Sequence, residues 1–171
     1  CRNIPRSRNS KLMKVTVACV GKLKEKYLVQ AVGEYAKRLT PYCKLEFNSI
    51  NEEKMLDNPS EATRQQVLSK ETERLLAVIP PQAYVILLDL AGRQITSPEL
   101  AETIQSVTLQ GHSHLCFVIG GAFGYTDALR HRADFRWCFS KLTFTHQMIR
   151  VLLVEQIYRA FKIARGEKYH W

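Results

Sequence analysis

From end to end the chain alternates short β-type apolar runs with segments of helical spacing, and this order leaves few folds open. "KVTVACV" (Lys14–Val20), "CKLEFNSI" (Cys43–Ile50), "YVILLDL" (Tyr84–Leu90), a run ending at Ile119 and "FRWCFS" (Phe135–Ser140) read as strands. Between and after them lie helical patterns: Tyr27–Leu39, a polar helix over about 61–78 halted by Pro80 and Pro81, a helix capped by Ser97 with Pro98 as its first residue, a short one from about Thr126, and a long one from about His146 to Ala164, stopped at Gly166. Parallel neighbours need crossover helices, so strict alternation predicts an α/β fold: a mostly parallel sheet with helices on both faces. A chain of 171 residues, 46% hydrophobic, suffices for one such domain, here residues 13–171. Residues 1–12, "CRNIPRSRNSKL", are basic and aperiodic and precede a natural start at Met13; they read as an expression remnant or flexible leader outside the fold. The polar stretch 51–60 is the best candidate for a mobile loop.

Ligands of parallel sheets bind at the carboxyl ends of the strands. There "CFVIGGAFGY" (Cys116–Tyr125) ends an apolar run on Gly120 and Gly121, bare backbone where a ligand should lie, or else a tight turn needing positive φ. The order of glycines is not the dinucleotide fingerprint, no GK[ST] makes a phosphate loop, and no GxSxG elbow is present. His112 and His114 stand without a nearby Cys or carboxylate, so no metal site is expected. Five scattered cysteines without a CxxC pair point to a reducing cytoplasm, with Cys116 and Cys138 as core residues. No apolar stretch reaches the roughly 20 residues of a membrane span. With 25 Lys plus Arg against 16 Asp plus Glu, the net charge of +9 favours a polyanionic partner.

The last helix is apolar on more than one face around "VLLV" (Val151–Val154), as a helix covered by a second subunit would be, or one wholly in the core. Glu155 and Arg159 have the spacing of an ion pair. The terminal Tyr169 and His170 combine an aromatic face with a titratable imidazole, suited to stacking on an unpaired base and to proton handling.

"VGKLKEKY", "LDLAG", "FVIGGAFG" and "FSKLTFTHQMIRVLLVEQIYRAFKIARGEKYH" together resemble the large-subunit rRNA pseudouridine methyltransferase H family of the SPOUT class, over everything from Met13 onward. The resemblance implies a C-terminal trefoil knot, a homodimer, S-adenosylmethionine as cofactor, and methylation of N3 of a pseudouridine in helix 69 of 23S rRNA on the assembled ribosome. It further implies that Leu88, Gly120, Gly121, Phe139, Ser140, Lys141, Leu142, Thr143 and Phe144 surround the cofactor, and that Tyr169 and His170 approach the target base. His146 then orients the cofactor loop, and Arg150, one turn on, is placed to meet phosphate or the base. Thr145 stands where relatives commonly carry Pro, which offers a cap for the last helix, and Trp171 where a basic residue is commoner. Two other classes share parts of this pattern: a non-catalytic rRNA- or ribosome-binding module, and a SPOUT methyltransferase acting on tRNA.

Overall fold

The structure, a computed structural model, describes residues 11–169. Its elements run β1 (Met13–Val20), α1 (Lys26–Leu39), β2 (Cys43–Ile50), α2 (Glu61–Val78), β3 (Tyr84–Arg93), α3 (Ser97–Leu109), β4 (His114–Ile119), α4 (Asp127–Arg132), β5 (Phe135–Trp137) and α5 (Met148–Ala164). The expected alternation holds throughout. Every strand pair is parallel, in the order β2-β1-β4-β3-β5.

Side-chain alternation along β1 sorts the two layers. Val15, Val17 and Cys19 pack with Leu39 of α1, Leu100 and Ile104 of α3, and Leu153 and Ile157 of α5. Ala18 and Val20 point the other way, into a core with Leu75 of α2 and Leu129 of α4. Helices therefore cover both faces. Because β1 and β4 are buried on both sides, their sequences are continuous apolar runs rather than alternating ones.

Local chemistry shifts several boundaries. Thr96, not Ser97, caps α3: its hydroxyl accepts from the Glu99 N–H (3.3 Å), while the Glu99 carboxylate accepts from the Thr96 N–H (2.6 Å). α5 begins at Met148 because Thr145 accepts the Met148 N–H on its hydroxyl (3.2 Å) and the Ile149 N–H on its carbonyl (3.0 Å). β5 stops at Trp137, three residues short of Ser140. β3 continues to Arg93 through an irregularity in which Gly92 lies against β5; a β-carbon there would sit 2.5 Å from the Arg136 carbonyl oxygen. The stretch 51–60 lacks regular structure but is anchored at Glu53. The Glu53 N–H donates to Glu71 (3.0 Å), and its carboxylate holds Arg74 (2.7 Å) and Lys70 (3.4 Å).

From β5 at one sheet edge the chain returns past β3 and β4 to α5, where the Arg150 guanidinium donates to the Val20 carbonyl at the end of β1 (2.5 Å). A C-terminal trefoil knot requires such a return path. Of the "VLLV" stretch, Leu153 and Val154 are fully buried within the chain, while Val151 and Leu152 are only half-buried. No helix among the described residues is long and apolar enough to cross a membrane.

Candidate active site

A cavity of about 370 Å³ opens at the carboxyl ends of β3, β4 and β5. Its walls come from three loops. Leu88 and its neighbours close it from within β3, where the pairing with β5 becomes irregular, Gly120 and Gly121 after β4, and Phe139, Ser140, Leu142, Thr143 and Phe144 after β5. His146 and Ile149, just before and within α5, complete it. Eight of the nine expected cofactor-loop positions thus meet around one space. Lys141 is the exception: it is exposed and does not line the cavity. The third loop is supported by aromatic stacking, with Trp137 under Phe139 (centroids 5.1 Å apart) and Phe139 edge-on to Phe144 (6.4 Å).

Neither paired glycine has positive φ; in this turn only Gly124 does, where its N–H donates to the Gly121 carbonyl (3.1 Å). Both are instead places of close approach. A β-carbon on Gly120 would lie 2.4 Å from the Tyr125 ring, and one on Gly121 would lie 2.6 Å from Oε2 of Glu71. The side of Gly121 that a substituent would occupy therefore faces the buried Glu71 rather than the cavity. Substitution there acts by displacing the loop. α2 also holds the far end of this turn, where Thr126 N–H donates to the Thr72 hydroxyl (3.0 Å).

A charged network invisible to sequence reasoning ties the first two loops together. Asp89, 6% exposed, accepts from Arg136 Nε (2.7 Å), Arg130 Nε (3.3 Å) and the Ala91 N–H (3.0 Å). Arg130 in turn lies over the Tyr125 ring (4.9 Å), and the Tyr125 hydroxyl donates to the Leu88 carbonyl (3.0 Å). Asp89, Tyr125 and Arg130 all line the cavity. The one signal in the sequence was a carboxylate inside the apolar run "LLDL". Burial alone would raise the Asp89 pKa, but the Ala91 N–H and the two guanidiniums outweigh it and hold the group below the usual carboxylate range. A depressed pKa means a contribution present at neutral pH and lost as pH falls below the ordinary carboxylate value toward the folded one. Asp89→Ala is accordingly expected to cost about 2 kcal/mol at pH 7, by the usual worth of hydrogen bonds to charged groups. Urea unfolding should show that difference from wild type shrinking below about pH 4.

The four residues expected to act on substrate separate into different places. His146 reaches the cavity. Burial, and then the nearby Arg150 cation, lower its pKa, so the neutral imidazole is the form present at pH 7. Arg150 does not reach the cavity: it is 2% exposed and donates to the Val20 and His146 carbonyls, the latter at 3.2 Å. It cannot meet phosphate or a base, and its task is to fix the start of α5 against β1. Tyr169 lies farther along α5, edge-on to Tyr158 (4.9 Å), under the Arg159 guanidinium (4.7 Å) and donating to Glu155 (3.3 Å). Burial and contacts with Tyr35 and Glu155 push its pKa up to about 12, so in this position it is a donor and not a base. The expected Glu155–Arg159 pair forms at 2.7 Å. His170 lies outside the described residues, as does Trp171. Among the described residues no group of three metal-ligating side chains is present.

The family profile described as "Predicted SPOUT methyltransferase" matches residues 13–170. A ribosomal RNA large subunit methyltransferase H from Ruminiclostridium cellulolyticum is 50% identical over 158 residues, covering 92% of this chain and 99% of the relative. One of the same description from Desulfitobacterium hafniense is 45% identical over 159 residues, covering 93% and 99%. Among solved structures, a probable methylase family protein from Haemophilus influenzae superposes with a TM-score of 0.50 at 14% identity, over 92% of this chain and 70% of that one, a likeness of fold. With a profile match across the domain and near-half identity over almost the whole length of these relatives, the chain belongs to the methyltransferase H family of SPOUT methyltransferases.

Proposed function

We propose that the protein methylates N3 of a pseudouridine in helix 69 of 23S rRNA, on the assembled ribosome in the cytoplasm, as a homodimer using S-adenosylmethionine. The observation that carries the methyl-transfer part is the cavity at the carboxyl ends of β3, β4 and β5, lined by strand-end backbone and apolar side chains. Its volume of about 370 Å³ falls in the range of small-molecule sites. Leu88, Leu90, Ile119, Leu142 and Ile149 offer apolar cover, and the backbone around Gly120 and Gly121 offers polar groups free of side-chain bulk, a donor set that fits an adenine nucleoside. The rRNA target is supported by the relatives' description and by the +9 charge.

When bound, S-adenosylmethionine supplies a methyl group on a sulfonium, a strong electrophile with a neutral leaving group. The chain's residues bind and orient. Leu88, Gly120, Gly121, Phe139, Ser140, Leu142, Thr143 and Phe144 would hold the cofactor. His146, neutral and held through its carbonyl by Arg150, can take a proton or steady the third loop. Tyr169 packs about 14 Å farther along α5 than Ile149, by a rise of ~1.5 Å per residue from Ile149 to Tyr158, so a target base at the cavity would meet the tail of a second subunit.

Calorimetry with S-adenosylhomocysteine and a tritiated-methyl assay on assembled ribosomes, free subunits and tRNA test the reading. Saturable binding with transfer to assembled ribosomes is expected. A folded protein that binds no S-adenosylhomocysteine would be an rRNA-binding module, and transfer to tRNA alone would reassign the substrate.

A further inference from the structure

The cavity mouth has a basic margin that the cofactor site leaves unused. The loop after β1 and the first turn of α1 read Lys22-Leu23-Lys24-Glu25-Lys26-Tyr27, and Lys22, Lys24, Lys26 and Tyr27 are all exposed, Tyr27 by 62%. This loop is bound to the start of α5. The Lys24 N–H donates to the Gln147 side chain (3.2 Å), and a β-carbon on Gly21 would lie 4.0 Å from Nε2 of His146, which lines the cavity. The loop is therefore held beside the rim through Gly21 and the Lys24 main chain, without use of the lysine side chains.

Charge pairing separates them from nine of the other cations. Arg38, Lys70, Arg74, Arg93, Arg130, Arg132, Arg136, Arg159 and Lys162 each lie within salt-bridge distance of a carboxylate. Among the described residues none of Lys22, Lys24 and Lys26 has such a partner, although Glu25 stands between them and Glu52 lies behind Gly21. Three lysines less Glu25 leave +2 over residues 22–27. A surface that repels itself in this way is stabilised by an external polyanion, and alternation of cations with an exposed ring suits a strand that offers both phosphates and bases.

We propose that Lys22, Lys24 and Lys26 are the phosphate-contacting residues that hold the RNA backbone beside the cavity, with Tyr27 as a stacking face for a nucleotide flanking the target. The inference rests on the rRNA-methylation reading and specifies where that substrate is held. Phosphate contacts set register and orientation, so the rim brings the reacting base to the mouth and leaves base recognition to other groups.

The test uses the full chain carrying Lys22→Ala, Lys24→Ala and Lys26→Ala together, with the corresponding triple Arg variant as rescue. S-adenosylhomocysteine affinity by calorimetry should match wild type, since no lysine side chain enters the cavity. Binding to a fluorescent stem-loop RNA and to purified ribosomes should weaken about tenfold or more near 0.1 M salt, and the slope of log K against log salt should fall by about 2–3, near one per phosphate contact. The Arg variant should restore both. An unchanged slope and affinity in the Ala variant would overturn the proposal, as would unchanged RNA binding with loss of binding to polyglutamate, which would mark an acidic-polypeptide surface. Failure of the wild type to bind either RNA while still binding S-adenosylhomocysteine would overturn the substrate reading itself, and the rim assignment with it.

Discussion

Removal of residues 169–171 is expected to lower methyl transfer to ribosomes at least 100-fold while S-adenosylhomocysteine affinity stays within about twofold. Base stacking is worth about 1–3 kcal/mol, and a positioned proton acceptor about 10²- to 10⁴-fold. Loss of both should therefore dominate the rate. Cofactor affinity should persist because Tyr169 packs on Tyr158, Glu155 and Arg159, well along α5 from the cavity walls. The same packing means that truncation also removes an aromatic pair from the fold. His170→Ala is the cleaner companion variant, since it leaves the Tyr169 contacts in place. Separation of tail and cavity within one chain yields a sharper result. Mixing the truncated chain with a full-length chain disabled in its cavity should recover part of the activity, because mixed dimers pair an intact cavity with an intact tail. Wild-type rates in the truncated protein would dismiss the tail from catalysis, and failure of the mixture to recover would place tail and cavity in the same subunit.

Leu153→Glu is expected to abolish folding, whereas Leu152→Glu should leave a folded protein that self-associates more weakly. Leu153 is 0% exposed and packs in the core shared by β1, β4, α3 and α5. An unpaired carboxylate there loses a leucine's packing and meets no compensating charge, a cost above about 4 kcal/mol in a domain whose total stability is of order 5–15 kcal/mol. Leu152, one residue earlier, is half-buried at the margin of that core. Its replacement should cost the fold about 1 kcal/mol and act instead on a subunit contact. Thermal melts followed by circular dichroism separate the two variants, and sedimentation at micromolar concentration reads the assembly. A monomeric wild type would remove the dimer from the proposal, and a folded Leu153→Glu would contradict the core placement.

The protein's local order was written in its periodicity. Among the described residues five strands and five helices stand in the order the spacing predicted, with boundaries shifted by hydrogen bonds at Thr96 and Thr145 and by the irregular pairing of β3 with β5. The cofactor loops came from motif resemblance, since nothing in apolar spacing marks Thr143 or Phe144 as neighbours of Leu88. Where residue identity alone suggested a role, direction decided. Arg150 follows His146 by one turn, yet its guanidinium turns inward to the Val20 carbonyl, a partner 130 positions away in the chain.

What the sequence by itself determined, then, was the alternation of elements, the burial of β1 and β4 on both faces, and a chain that bends on glycine at the end of β4, because these depend on interactions among residues a few positions apart. Only the tertiary structure decided the strand order, the Asp89–Arg130–Arg136 network that joins positions more than 40 residues apart, the packing of Glu71 against Gly121, and the distance between Tyr169 and the cavity. Such contacts exist once the sheet has brought distant segments to the same edge, and side-chain direction there is set by what the neighbouring strands leave room for.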